Sequence, residues 1–180
     1  MFWLQDNEAM GSIMDYATYR LSRAKEDLDA AELLFEHGDF RIANNRAYYS
    51  IFHSMRAVLT FDSFDTKKHS GVIAEFRKRY IKEGIFPVEL SAMIGSAFTI
   101  RNASDYDDMF IASKSDTEQQ IKNAKRIYQE VEIYVQNKLD DSVQKEKKEA
   151  FEQLEQLRKN GTVSYDKAEL NAYREEKNNQ

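Results

Sequence analysis

Six glycines and one proline among 180 residues leave few places where a helix is obliged to stop. Between these breakers the apolar residues recur at intervals of three and four rather than two, the spacing of a helix face and not of a strand. The sequence therefore predicts an all-α protein. A first helix over residues 14–37 places Leu21, Ala24, Leu28, Ala31, Leu34 and Phe35 on one face, with Gly38 positioned to end it. Asp39 stands where a cap of the second helix is needed. That helix, over residues 40–62, carries Ala43, Ala47, Ile51, Met55, Val58 and Leu59 on its apolar face.

The segment SFDTKKHSG reads as a loop with Ser70 as a helix cap, followed by a short third helix ending near Gly84. Pro87 restarts the chain at a first-turn position. A fourth helix follows, with Leu90, Met93, Ile94, Ala97, Phe98 and Ile100 apolar, and stops around residues 104–108. A fifth of about six turns buries Ile121, Ala124, Ile127, Tyr128, Val131 and Val135. Helices joined by short loops make an antiparallel bundle of four to five members. Charged residues number 18 of 41 from Asp140 onward against 39 of the first 139. The expected division is a bundle over 1–139 and a charged helical tail over 140–180. Within the tail only Ala150, Phe151, Leu154 and Leu157 make an apolar stripe, too little to fold alone.

Composition removes several function classes. Without cysteine there is no disulfide framework, thiolate metal site or thiol nucleophile. No uncharged stretch approaches the roughly 20 apolar residues of a membrane span. The opening MFWLQDNEAM has neither a basic start nor a long apolar run, so no secretory signal and a cytoplasmic address are expected. A net charge of −5 offers no global attraction to nucleic acid, so such contact requires a local basic patch. The residues three before His37, His53 and His69 are Leu34, Ser50 and Thr66, which excludes the Glu-x-x-His pairs of di-iron bundles. No phosphate-loop, calcium-loop or H-E-x-x-H pattern occurs, and neither a metal nor another cofactor is expected.

The polar residues that remain fall in three places. Asn45, Tyr49, His53 and Arg56 form a ladder along the second helix, with Arg46 beside it. Lys67, Lys68 and His69 open the third helix, and RNASDYDD closes the fourth. Arg101 near a helix C-terminus has two readings: a guanidinium satisfying terminal carbonyls, or a planar fork holding phosphate with Asn102 and Tyr106 beside it. Tyr49 and His53 read either as satisfied core groups or, for His53, as an acid or base that titrates near neutrality. The basic runs at residues 77–79 and 122–126 read as solvated faces, and are also the densest basic patches available to a polyanion.

The segments IANNRAYYSIFHSMRAVL, KKHSGVIAEF and RNASDYDD, in that order, resemble the HEPN family, and the likeness covers residues 14–139. The resemblance implies a helical bundle that dimerises through the helices carrying its signature. It also implies a toxin–antitoxin setting with a nucleotidyltransferase antitoxin as partner. Many members are metal-independent endoribonucleases whose signature is an Arg, a polar residue and, after four to six intervening positions, a His. Arg101 and Asn102 match the first two. The histidine is absent: the three positions that would hold it are Tyr106, Asp107 and Asp108, with Tyr106 the nearest equivalent. A tyrosine with its ordinary pKa near 10 costs about 4 kcal/mol to ionise at pH 7, so it is a poor base. The resemblance thus implies either a module binding RNA or nucleotide phosphate through Arg101, Asn102, Arg46, Tyr49, Lys68 and His69 with weak or no catalysis, or a ribonuclease in which His53 or His69 supplies the missing base. A ligand-free structural protein would instead pair Arg101 and the stripe internally.

Overall fold

A computed structural model describes residues 2–106 and 111–159, with side chains from 12–104 and 111–159. The described chain is all-helical: α1 (Phe2–Glu36), α2 (Phe40–Thr60), α3 (His69–Phe76), α4 (Glu89–Tyr106) and α5 (Lys114–Lys159). Two compact units divide the chain, Met1–Lys138 and Leu139–Gln180. No helix among the described residues is long and apolar enough to cross a membrane.

The first unit is built around α2. Its apolar face, Ala43, Ala47, Ile51, Met55, Val58 and Leu59, is wholly buried, as the spacing predicts. Gly38 takes a positive φ of 84°, and the Asp39 N–H reaches back to the Leu34 carbonyl at 2.9 Å. This left-handed turn, which only glycine adopts without strain, returns α2 antiparallel along α1, with Phe35 against Phe40 and Arg46 against Asp27. On another side of α2, α4 runs antiparallel, with Phe98 against Tyr48 and Ser104 against Arg41. The start of α5 runs parallel to α2, with Thr117 bonded to Asn44 and Tyr134 packed on Phe61. The inward residues of α5, Ile121, Ala124, Ile127, Tyr128, Val131 and Val135, are all buried.

Local details depart from the sequence expectations. The first helix begins at Phe2 rather than near residue 14. Asp39 occupies the N-cap position of α2 but its side chain makes no cap bond. Lys68, not Ser70, is the residue flanking α3, and its N–H is taken by Thr66 Oγ1 at 3.2 Å. The third helix does not remain α-helical: Arg77–Ile81 forms a π turn closed by Lys82 N–H to the Arg77 carbonyl at 2.9 Å. The wider turn accompanies an inward Arg77, which donates to the Ser91 carbonyl of α4 at 2.6 Å. Gly95 permits this approach, because a Cβ there would sit 3.1 Å from the same guanidinium. In the second unit, Phe151, Leu154 and Leu157 of the apolar stripe are 64, 65 and 51% exposed.

Candidate functional site

Two polar clusters lie along α2, and Tyr49 stands between them. The first joins α2 to α4 and to the start of α3. Tyr48 is 1% exposed, so its hydroxyl must find a partner inside the protein. It finds His69: the Tyr48 Oη to His69 Nδ1 distance is 2.5 Å. Burial, only partly opposed by the charge of Arg101, pushes the Tyr48 phenol well above its ordinary range, so the hydroxyl keeps its proton. With Tyr48 as donor, the ring proton of a neutral His69 sits on Nε2. Phe52 stacks on the imidazole with centroids 4.3 Å apart, and Tyr49 meets it edge-on at 6.0 Å. These contacts leave little rotational freedom to the ring.

Arg101 comes to the same tyrosine from α4. Its guanidinium carbon lies 6.0 Å from the Tyr48 ring centroid, within cation–π range. Its Nη1 donates to Asn102 Oδ1 at 3.2 Å, and both residues are partly exposed. The guanidinium that takes the Ser104 carbonyl near the end of α4 belongs to Arg41, whose Nε also donates to Ser104 Oγ at 3.3 Å. Tyr106 closes α4, but its side chain, that of Asp105, and all of Asp107 and Asp108 lie outside the described residues. Folding thus brings Arg101, Asn102 and His69 together around Tyr48. Lys68 is exposed at the start of the same helix as His69.

The second cluster joins α2 to α1. Asp27, 5% exposed, accepts from Arg46 Nη1 at 3.0 Å and faces His53 Nε2 at 3.8 Å. Burial raises the Asp27 carboxyl above its ordinary range despite Arg46 and Arg23. His53 is pushed down to about 4, first by burial and then by the charges of Arg56, Arg20, Arg23 and Arg46. It is a neutral imidazole at physiological pH. Arg20 and Arg56 converge on Asp65, with contacts of 3.1 and 2.5 Å. Partial burial pushes the Asp65 carboxyl up, but the Arg56 hydrogen bond and the charges of Arg56 and Arg20 hold it lower than usual. Arg46 also lies over the Tyr49 ring at 5.2 Å. His53 and Arg46 are therefore placed with Asp27 rather than with Arg101.

The basic runs are largely paired within the protein. Arg79 bonds Glu75, Lys122 bonds Glu118, Arg126 bonds Glu130, and Lys125 reaches Glu32 on α1. Among the described residues, no three His, Asp or Glu side chains converge in a way that could hold a metal ion. The chemistry available at Tyr48 is instead that of a guanidinium, an amide and an oriented imidazole.

Sequence reasoning passed over Tyr48, which organises the first cluster. The signal was present: Tyr48 falls four residues from Asn44 and three from Ile51, on the inward side of α2, where a phenol hydroxyl demands a partner. Arg41 carries no comparable sequence signal, because its partner is 63 residues away.

Comparison with known proteins agrees with this architecture. A family model for the HEPN domain matches residues 17–134. Two proteins of Methanocaldococcus jannaschii that bear provisional toxin names are 35% identical over 98 residues and 40% identical over 83. Those matches cover 54 and 46% of this chain and 67 and 62% of the two relatives. A UPF0332 protein of Thermotoga maritima is 29% identical over 119 residues, covering 66% of this chain and 90% of its own length. With the matched region containing α2, α3, α4 and the clusters they position, the chain belongs to the HEPN domain family.

Proposed function

We propose that this protein binds RNA or nucleotide phosphate through Arg101 and Asn102, as a component of a toxin–antitoxin or defence system, with weak or no catalysis. The observation that carries the reading is the grouping at Tyr48. A partly exposed guanidinium and amide stand together there, while the signature position for the histidine holds Tyr106. Arg101 supplies charge-assisted donors to a phosphate oxygen, and Asn102 orients it. Metal-free RNA cleavage additionally needs a base for the 2′-hydroxyl and an acid for the leaving oxygen. His53, depressed to about 4, is a weak base and is committed to the Asp27 side. The toxin names of the two archaeal relatives support the setting. It includes a homodimer that brings two Arg101 side chains into one cleft, a nucleotidyltransferase antitoxin as partner, a cytoplasmic address, and residues 140–180 as an appendage to the 1–139 bundle.

One observation favours a second reading, a metal-independent endoribonuclease. His69 shares Tyr48 with Arg101, so an imidazole from α3 stands in for the one missing from α4. A single comparison separates the two: RNA binding and RNA cleavage in EDTA by the wild type, Arg101→Ala and His69→Ala. The binding reading expects no cleavage by any of them and at least a tenfold weaker RNA affinity for Arg101→Ala, with unchanged melting temperature. Cleavage that disappears in both variants would replace it with the nuclease reading. Equal RNA affinity of wild type and Arg101→Ala would remove Arg101 from either.

A further inference from the structure

The C-terminal part of α5 lies in the second unit and carries an apolar stripe that is open to solvent. Val143, Phe151, Leu154 and Leu157 are 46, 64, 65 and 51% exposed. Large apolar side chains gathered on one exposed face mark an interaction surface. The stripe has a seven-residue order. Asp140, Lys147 and Leu154 occupy one position of a heptad, and Val143, Ala150 and Leu157 the other, the arrangement of a two-helix seam.

The charged members decide what fits this seam. In a parallel pair of two copies, residues at the first heptad position meet their own counterparts, so Lys147 would face Lys147 and Asp140 would face Asp140. Like charges placed across an interface oppose it. Turned antiparallel, with the two-fold axis midway between Lys147 and Ala150, the same stripe is complementary to itself. Val143 then lies across from Leu154 of the second copy. Lys147 lies across from the small Ala150, which leaves room for its aliphatic stem, and beside the Phe151 ring, where a cation–π contact can form. On that flank Asp140 meets Arg158, and on the other flank Leu139 meets Leu157. One choice of axis produces every one of these pairs, each of them twice. Arg158 bonds Glu155 of its own helix at 3.0 Å, but this is an exposed pair of small worth, and a guanidinium has five donors.

We propose that residues 139–158 of α5 form an antiparallel two-helix interface with the same segment of a second copy of this chain. A helical segment of that length spans about 30 Å, and with few large apolar side chains per copy the association belongs to the weak, transient class. The interface lies wholly within the second unit and does not draw on the phosphate reading.

The chain has no cysteine, so introduced cysteines report the pairing without background. Gln144 and Glu155 flank the stripe on the Asp140 side. In the antiparallel pair Gln144 comes level with Glu155 of the second copy, whereas the two Gln144 residues are about 14 Å apart along the axis. The test is cross-linking with a short bis-maleimide of full-chain Gln144→Cys, full-chain Glu155→Cys and their equal mixture. The mixture is expected to yield at least fivefold more cross-linked dimer than either variant alone. Adding Leu154→Glu to both partners should lower that yield at least fivefold, and so should Asp140→Arg in both. The yield should recover when one partner carries Asp140→Arg and the other Arg158→Asp, because the mixed pair regains both ion pairs although neither variant matches itself. Asp140, Leu154 and Arg158 are exposed, so folding is not at risk in these variants. Equal cross-linking by the mixture and by each variant alone overturns the antiparallel seam. A yield indifferent to Leu154→Glu overturns it as well, as does the absence of cross-linked dimer at high protein concentration or a failure of the mixed charge variants to recover.

Discussion

The two histidines of α2 and α3 occupy adjacent clusters and have been given opposite surroundings. His53 faces a buried carboxylate and four arginines, and its neutral form is enforced by burial and repulsion. His69 is held by a phenol hydroxyl and two aromatic faces, with Arg101 reaching the same phenol. The first arrangement fastens α1 to α2 and carries its charges in internal pairs. The second fastens the start of α3 to α2 while leaving a guanidinium and an amide partly exposed beside it. A histidine spaced correctly on a helix is thus no guide to chemistry by itself; its partners across the helix decide whether it is structural.

Breaking the α1–α2 side should have the largest effect on stability. Asp27→Ala removes the acceptor of Arg46 and the carboxylate facing His53. Loss of one partner of a fully buried ion pair costs about 3–5 kcal/mol. Because the Arg46 side chain is 39% exposed and can regain water, the expected loss is about 2 kcal/mol, read from urea unfolding at pH 7. RNA binding by Asp27→Ala, measured where the variant is folded, should remain near that of the wild type. A comparable loss of RNA affinity would merge the two clusters into one functional unit.

A somewhat smaller effect comes from pH. The His53 pKa falls from an ordinary 6.5 to about 4 in the folded protein. The unfolded chain therefore binds a proton more readily. Stability from this group is complete above pH 6.5 and is lost as the pH falls toward 4. Taken alone the shift corresponds to about 3 kcal/mol at most. Asp27, whose carboxyl is raised, works in the opposite direction over the lower part of the window, so the net loss from pH 7 to pH 4.5 is expected to be about 1–2 kcal/mol. His53→Gln should flatten that part of the profile, and an unchanged slope would show that another group carries the acid sensitivity.

Much of the bundle was legible because its information is local. Gly38, Gly84 and Pro87 mark turns, and the apolar ladders of α2 and α5 depend on spacing within one helix. The π turn was not legible, since it accompanies an inward Arg77 and a glycine at residue 95 on a different helix. The site was legible only in pieces. Arg101, Asn102 and His69 stand out as residue types, but Tyr48 belongs to neither the apolar face nor the polar ladder of the second helix, and nothing in the spacing joins residue 69 to residue 101. The ladder Asn45, Tyr49, His53 and Arg56 read as one polar stripe, yet Asp27 on α1 faces a neutral His53 and Asp65 on the loop pairs with Arg56. Sequence distance hides that contest, because the competing partners are about 20 to 30 residues upstream or lie on the loop beyond α2.

The smallest expected change is also the sharpest test of the His69 side. Tyr48→Phe keeps the rings and removes only the hydroxyl that meets Nδ1. The change removes the hydrogen bond to His69 and leaves the ring packing in place, so the cost should be that of one hydrogen bond, about 1 kcal/mol. A cycle with His69→Gln and the double variant isolates the pair, and a coupling near 1 kcal/mol is expected. The Phe52 stack survives in Tyr48→Phe, so His69 should stay close to its position but lose its fixed orientation. RNA affinity then falls less than in Arg101→Ala, because the guanidinium keeps an aromatic face beneath it. If coupling is absent while RNA affinity falls as far as in Arg101→Ala, the phenol hydroxyl serves the bound phosphate directly, and His69 is only a neighbour.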